Sequence, residues 1–302
     1  MLVIAIFLMC ICHMSAARGY TKSIVIPHVK NVFVINMERH KKRWLNFIHE
    51  YPYNVMNVTR VNAFDGFAMT CADTSAVQHI RGWLRYNNSW SKGDIGCTMS
   101  HVGIWQKIAA DTSILENELA LVFEDDVIFM PHFEDIWSSI NIPTDADFIY
   151  IGGWRWKHYM PNISANGFEP ADGVLYKDAV MKNDRGTYAY AISKKVARFF
   201  LGLIDRIDGT VSVLDHWIAN VLRLREFNLQ TYSILPAIAW SPVNIESSIQ
   251  GHSLYGPEDD VCDVLSDSTI QPKQRFYSGE NIRRRLNEQK SMSANLDLNS
   301  YA

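Results

Sequence analysis

The sequence predicts an α/β domain with a mostly parallel central sheet flanked by helices. Three observations predict it. Short β-branched and aromatic runs alternate with amphipathic stretches; residues 119–123 (LALVF) are apolar without a break, as in a strand buried on both faces; and no internal repeat or low-complexity linker divides the chain. Its 302 residues, 48% apolar and 20% charged, suit one large globular unit and exclude a disordered or collagen-like chain. A net charge of −3 offers no broad basic field for nucleic acid or an anionic membrane surface.

Taken in order, residues 1–17 (MLVIAIFLMCICHMSAA) contain no Asp, Glu, Lys or Arg. The apolar run 2–12 is too short to span a bilayer and suits the core of a signal peptide, with Ser15-Ala16-Ala17 placing cleavage before Arg18; a buried N-terminal helix or a short anchor is the alternative. Sequons at Asn57, Asn87 and Asn162 agree with a secretory route. Of five cysteines, Cys10 and Cys12 leave with the leader; Cys71, Cys97 and Cys262 permit at most one disulfide and show no zinc-type spacing.

The body then reads as strand 32–36 feeding helix 38–50, an extended run 55–62 ending at the Asp65-Gly66 turn, and a polar loop across 70–92. Helix 94–110 follows, with Ile95, Met99, Val102, Trp105 and Ile108 on one face. After strand 119–123 come helix 131–140, strands 147–152 and 187–192, helix 194–204 capped by Ser193, helix 215–226 and strand 229–234. From about residue 265 the chain turns polar. The expected organisation is a leader over 1–17, one domain over 18–265 and a polar helix and tail over 266–302.

Glu124-Asp125-Asp126 ends the most apolar strand. Adjacent carboxylates repel one another and are costly to bury, so a hard divalent cation is their natural partner; extended backbone would send Glu124 and Asp126 to one side and Asp125 to the other. A solvated acidic turn is the alternative. Asn36, Arg39 and Arg43 follow the first strand, where a helix start and guanidinium forks suit a diphosphate, or else form an exposed basic face. Gly96, Ser100 and His101 lie in a stretch whose glycines let a ligand approach and whose histidine donates to phosphate or moves a proton; a cap with a structural His is the alternative. Asp215 is either an N-cap or a second acid in the cleft.

The ordered series VFVINMERHKKR, VNAFDG, KGDIGCTMSHVGIW, LVFEDDVIF, DFIYIGG, GTYAYAISKKVARFF and VLDHWI resembles glycosyltransferase family 25, over residues 31–250. The resemblance implies a GT-A type nucleotide-diphospho-sugar transferase fold and an inverting transfer of a hexose, galactose from UDP-galactose above all, to a hydroxyl on a protein (hydroxylysine-like) or glycan. It implies Mn²⁺ held by Glu124, Asp125 and Asp126. It puts Asn36, Arg39, Arg43, Asp65, Gly66, Gly96 and Ser100 on the donor side, with Asp215 as the first choice of base and His101 as the second. The late motif departs from relatives that show Pro-Val-Asp or Asp-x-Asp: here it is Val213-Leu214-Asp215. The alternative implied by that departure is an inactive secreted nucleotide-sugar- or carbohydrate-binding protein. The expected location is the secretory pathway, in the endoplasmic reticulum lumen or outside the cell. No nucleic acid partner and no membrane span after leader cleavage are expected. Trp154, Trp156 and Tyr159 are candidates for an acceptor platform.

Overall fold

The computed structural model describes residues 29–51, 58–68, 92–131, 133–152, 174–177, 186–207, 214–235, 237–241, 282–284 and 286–287. The expected leader, the three sequon asparagines, the loop across 70–91, Cys71, Cys262 and the Trp154, Trp156 and Tyr159 platform lie outside the described residues. Among the described residues no helix is long and apolar enough to cross a membrane.

Period-two alternation along the strands organises everything else. In β1 (Val29–Asn36), Phe33 and Ile35 enter one core layer while Val32 and Val34 enter the other. The strand β3 (Leu119–Glu124) does the same: Ala120 and Val122 face one way, Leu119, Leu121 and Phe123 the other, all at most 1% exposed. A strand covered on both faces must be apolar throughout, which is why LALVF shows no polar residue.

The first layer is built by α2 (Lys92–Ala110), α4 (Lys194–Arg206) and α5 (Leu214–Leu222), which bring Trp105, Phe200 and Trp217 together. The second is built by α1 (Lys41–Glu50) and α3 (Phe133–Ser139), through Phe47, Phe133 and Trp137. Between them lies a seven-stranded sheet ordered β2-β1-β3-β7-β5-β8-β6, completed by β2 (Val58–Asn62), β5 (Phe148–Tyr150), β6 (Val174–Lys177), β7 (Ala189–Ser193) and β8 (Thr231–Leu235). Five strands run the same way; β7 is antiparallel to both neighbours and β6 antiparallel to β8. A two-stranded ribbon of β4 (Ile128–Phe129) and β9 (Ala239–Trp240) stands apart from the main sheet.

The elements fall where hydrophobic periodicity puts them, with informative differences. The helix expected from residue 38 begins at Lys41, because Met37 to His40 close a turn through the His40 N–H and the Met37 carbonyl at 2.9 Å. On α2 Met99 is only partly buried, while Thr98 and His101 are buried at 1% and 0% exposure. The Ser193 cap forms as read, its hydroxyl accepting from the Val196 N–H at 3.2 Å.

The polar run after residue 265 is tied to the domain. Ile282 is fully buried in the α2–α4–α5 layer, and Arg283 forks onto Glu226 at 2.5 and 2.9 Å. Hydrogen bonding from Arg283 holds the Glu226 carboxyl down at about 2. Ile282→Ala is expected to cost about 2–5 kcal/mol by urea unfolding, the range for emptying a buried isoleucine site. Arg283→Ala, at an exposed pair, is expected to cost under ~1 kcal/mol. Equal effects would mean that the ion pair, not the core plug, anchors this segment.

Candidate active site

Strand order reverses beside β1, since β2 pairs on one side and β3 on the other. In open α/β sheets the crevice past the carboxyl ends at such a point is where ligands bind. An open cleft of about 600 Å³ lies there. Its walls are the 37–43 stretch entering α1, the 63–67 turn after β2, the start of α2 and the acidic run leaving β3.

The three carboxylates part company. By the alternation of β3, Glu124 continues the face of Ala120 and Val122 toward α2, and Asp125 continues that of Leu121 and Phe123 toward α1. Asp126 does not return to Glu124's side as extended backbone would require, because the chain turns: the Val127 N–H bonds the Glu124 carbonyl at 3.2 Å. Arg43 of α1 therefore meets both aspartates, at 2.5 Å from Asp125 Oδ1 and 2.9 Å from Asp126 Oδ2. Burial raises the pKa of Asp125 despite Arg43. It raises Asp126 further, to about 7, with the Glu124 charge adding to it, and among the described residues Asp126 Oδ1 is buried without a hydrogen-bond partner. On the other side, burial of Glu124 is outweighed by His101 and by the Thr187 hydroxyl, which donates to Oε1 at 2.7 Å, so its pKa is lowered.

Several residues expected on the donor side also build the wall. Asn36, 1% exposed, donates to Asp125 and to the His40 carbonyl and accepts from Arg60 Nε at 2.8 Å; its amide faces inward and fixes Asp125. Ser100 accepts from the Phe64 N–H at 2.8 Å and donates to the Gly96 carbonyl at 2.6 Å. Gly96 is required because a Cβ there would stand 2.8 Å from the Phe64 carbonyl oxygen and 3.0 Å from the Gly66 nitrogen. Together they press the Asp65-Gly66 turn onto α2. Asp65 pairs with Arg39 at the rim, and this bond with the Phe67 N–H outweighs burial and lowers the Asp65 pKa.

His101 is 0% exposed. Its Nδ1 lies 2.9 Å from the Tyr190 hydroxyl, to which the Trp105 indole donates at 3.0 Å, and its Nε2 faces Glu124 Oε1 at 3.4 Å. No zinc-type cluster was expected from cysteine spacing, yet the donor atoms of Cys97, His101 and Glu124 lie within 4.8 Å of one another. Burial, reinforced by Glu124, pushes the Cys97 thiol well above its usual pKa.

The model of the family described as glycosyltransferase family 25 (LPS biosynthesis protein) matches residues 29–216, which hold all of this cleft. The chain belongs to glycosyltransferase family 25. It is 36% identical over 115 residues to the R655 protein of Acanthamoeba polyphaga mimivirus, covering 36% of this chain and 32% of that one. It is 31% identical over 134 residues to procollagen galactosyltransferase 2 of Homo sapiens, covering 41% and 21%, and 28% identical over 130 residues to a glycosyltransferase 25 family member of Aedes aegypti, covering 42% and 20%. The matched segments thus span about a fifth to a third of these relatives' lengths.

Of the family 25 positions singled out in the sequence, Arg39, Arg43, Asp65, Gly66, Gly96, Ser100, His101 and the three acidic residues line the cleft. Asp215 does not line it. It stands in the first turn of α5, where its Oδ1 takes the His216 N–H at 2.6 Å and its charge helps raise Cys97. Sequence reasoning missed His40, whose pKa is lowered by burial and Arg43, and it missed Thr187, Tyr190 and Trp105, which sit in ordinary strand and helix patterns.

The raised Asp126 pKa has a definite sign. Its folded value of about 7 lies above the ordinary 3.8, so the folded state binds the extra proton between them. Its contribution to stability is full below about 3.8 and is lost as pH rises through about 7. Asp126→Asn is therefore expected to raise the Tm at pH 8, by about 2–4 °C for each 1 kcal/mol recovered, and to change it less at pH 5. An equal loss of Tm at both pH values would contradict this assignment. Gly96→Ala is expected to destabilise by about 1–3 kcal/mol in urea unfolding, the range for overpacking, by displacing the Asp65-Gly66 turn.

Proposed function

We propose that this chain is a GT-A type glycosyltransferase that moves a hexose, galactose from UDP-galactose above all, to a hydroxyl of a protein or glycan with inversion at the anomeric carbon. The observation that carries the reading is the acidic edge of a switch-point cleft, where Arg43 pairs with two aspartates and, among the described residues, Asp126 Oδ1 has no hydrogen-bond partner. The matching name procollagen galactosyltransferase 2 supports galactose as donor sugar and a protein hydroxyl as acceptor. A leader over 1–17, a catalytic unit over 18–265 and residence in the endoplasmic reticulum lumen or outside the cell belong to the same reading.

Manganese fits the donor set. A hard divalent ion of this kind takes one or two carboxylates together with substrate phosphates, and Asp126 offers an oxygen that no other group among the described residues satisfies. Asp126 would hold the ion, with Asp125 and Glu124 at the same edge; when bound, it would neutralise charge on the departing diphosphate. Arg39, half exposed at the rim, supplies a guanidinium fork to phosphate oxygens. Asp215, in the first turn of α5 outside the lining of this cleft but close enough to Cys97 to raise that thiol, would take the proton of an acceptor hydroxyl that enters from the α5 side. The freed oxygen attacks the anomeric carbon as its bond to the diphosphate oxygen breaks, and UDP leaves on the opposite face. His101, the second candidate for the base, is wholly buried with both ring nitrogens turned to protein groups, which favours Asp215.

The deciding experiment is UDP release from a panel of UDP-sugars with hydroxyl acceptors, with Mn²⁺ and with EDTA. Turnover that is lost on chelation and reduced about 10²–10⁴-fold in Asp215→Asn is expected, the range for removing a general base. Full activity of Asp126→Ala would remove the metal assignment. UDP binding with no release from any donor–acceptor pair would instead make this a binding protein.

A further inference from the structure

We propose that Tyr190 is a positioning residue of this site: held by the Trp105 indole N–H, its hydroxyl locks His101 as the Nε2–H tautomer, a fixed donor facing Glu124. The argument is one of hydrogen accounting in a dry place. Tyr190, Trp105 and His101 are each 0% exposed. An indole nitrogen only donates, so at 3.0 Å the Tyr190 oxygen accepts from Trp105. The hydroxyl proton then needs an acceptor, and among the described residues the other polar atom bonded to this hydroxyl is His101 Nδ1 at 2.9 Å. Nδ1 must therefore be bare, and the neutral ring carries its proton on Nε2, 3.4 Å from Glu124 Oε1.

The other ring states fail on the same count. With the proton on Nδ1, or on both nitrogens, the Tyr190 hydroxyl would receive two donors and its own proton would be stranded in the core. In the Nδ1–H state, moreover, the bare Nε2 would turn a lone pair toward a carboxylate oxygen. A metal bridging Cys97, His101 and Glu124 requires that same bare Nε2, so the Tyr190 lock also argues against a site there. The strand pairing makes the device rigid: Tyr190 stands opposite Val122 on β3, two residues before Glu124, and the next residue but two before it, Thr187, holds Glu124 from the other side.

The functional half of the proposal rests on the transferase reading; the tautomer does not. Histidine labelled with ¹³C and ¹⁵N in the full chain, without metal at pH 7.5, reads the ring directly, with His101 assigned by the signal lost in His101→Gln. The expected result is Nε2–H in the wild type, a mixture of tautomers in Tyr190→Phe, and a fall of about tenfold in kcat, the low end for losing an outer partner of a site residue. Wild-type His101 found as Nδ1–H or doubly protonated overturns the proposal, as does an unchanged tautomer or unchanged kcat in Tyr190→Phe. A second measurement needs no variant at position 190: titration of the wild type with Co²⁺. A cobalt absorption that disappears in Cys97→Ser and is also lost or shifted in His101→Gln would show Nε2 acting as a ligand and overturn the lock; a cobalt spectrum that is the same in wild type and His101→Gln supports it. If no UDP-sugar turns over, the transferase reading fails while the tautomer result still stands or falls by itself.

Discussion

Three carboxylates leave β3 in succession, and the architecture around the cleft follows from giving each a partner. The pleat sends Glu124 to the α2 face and Asp125 to the α1 face, and the turn at Asp125-Asp126 brings the third acid to the second. Opposite pKa shifts follow from this division. Glu124 is lowered because neighbours that donate to it outweigh burial, while Asp125 and Asp126 are raised because one shared guanidinium does not. Two aspartates against one arginine leave the α1 side short of positive charge, which is a property of the strand's geometry and not only of its composition.

Around that edge stands a layer of residues whose task is to hold others. Arg60 fixes Asn36, and Asn36 fixes Asp125. Gly96 and Ser100 fix the turn that carries Asp65, and Asp65 holds Arg39 at the rim. Each step joins a different element, so β1, β2 and α2 all converge on one edge of the sheet. Positioning of this kind lowers the reorganisation needed when a ligand arrives, which is where preformed sites gain most.

Much of this was legible in the sequence, and the parts that were not share a physical reason. Unbroken apolar runs gave β1, β3 and β7, and Ser193 gave its cap, because those signals are local. The direction of β7, the existence of β6 and the β4–β9 ribbon depend on pairing between distant segments, which no local period encodes. Most residues lining the cleft are legible in order, while the bonds they make depend on backbone shape: strand alternation does not carry through 124–126, where the chain turns, and the hydrogen bonds of Asn36 to Asp125 and of Ser100 to the Phe64 N–H join segments far apart in sequence. Tyr190 and Ile282 were invisible for opposite reasons. One looks like any core residue of a strand, and the other lies in a stretch whose average polarity hides a single buried plug.

On the proposed reading, the charge at the edge also orders events. Glu124, Asp125 and Asp126 against Arg43 amount to a deficit of up to two positive charges, softened by a proton on Asp126 whose pKa lies at about 7. A diphosphate approaching this edge alone meets like charge. Asp126 and its neighbours would exchange that proton for a divalent cation, whose remaining preference is for phosphate oxygen. Together with Arg39 at the rim, they would balance a cation and a diphosphate at once, so the geometry that makes the acidic edge unfavourable at high pH would also favour a charged donor carrying its counterion.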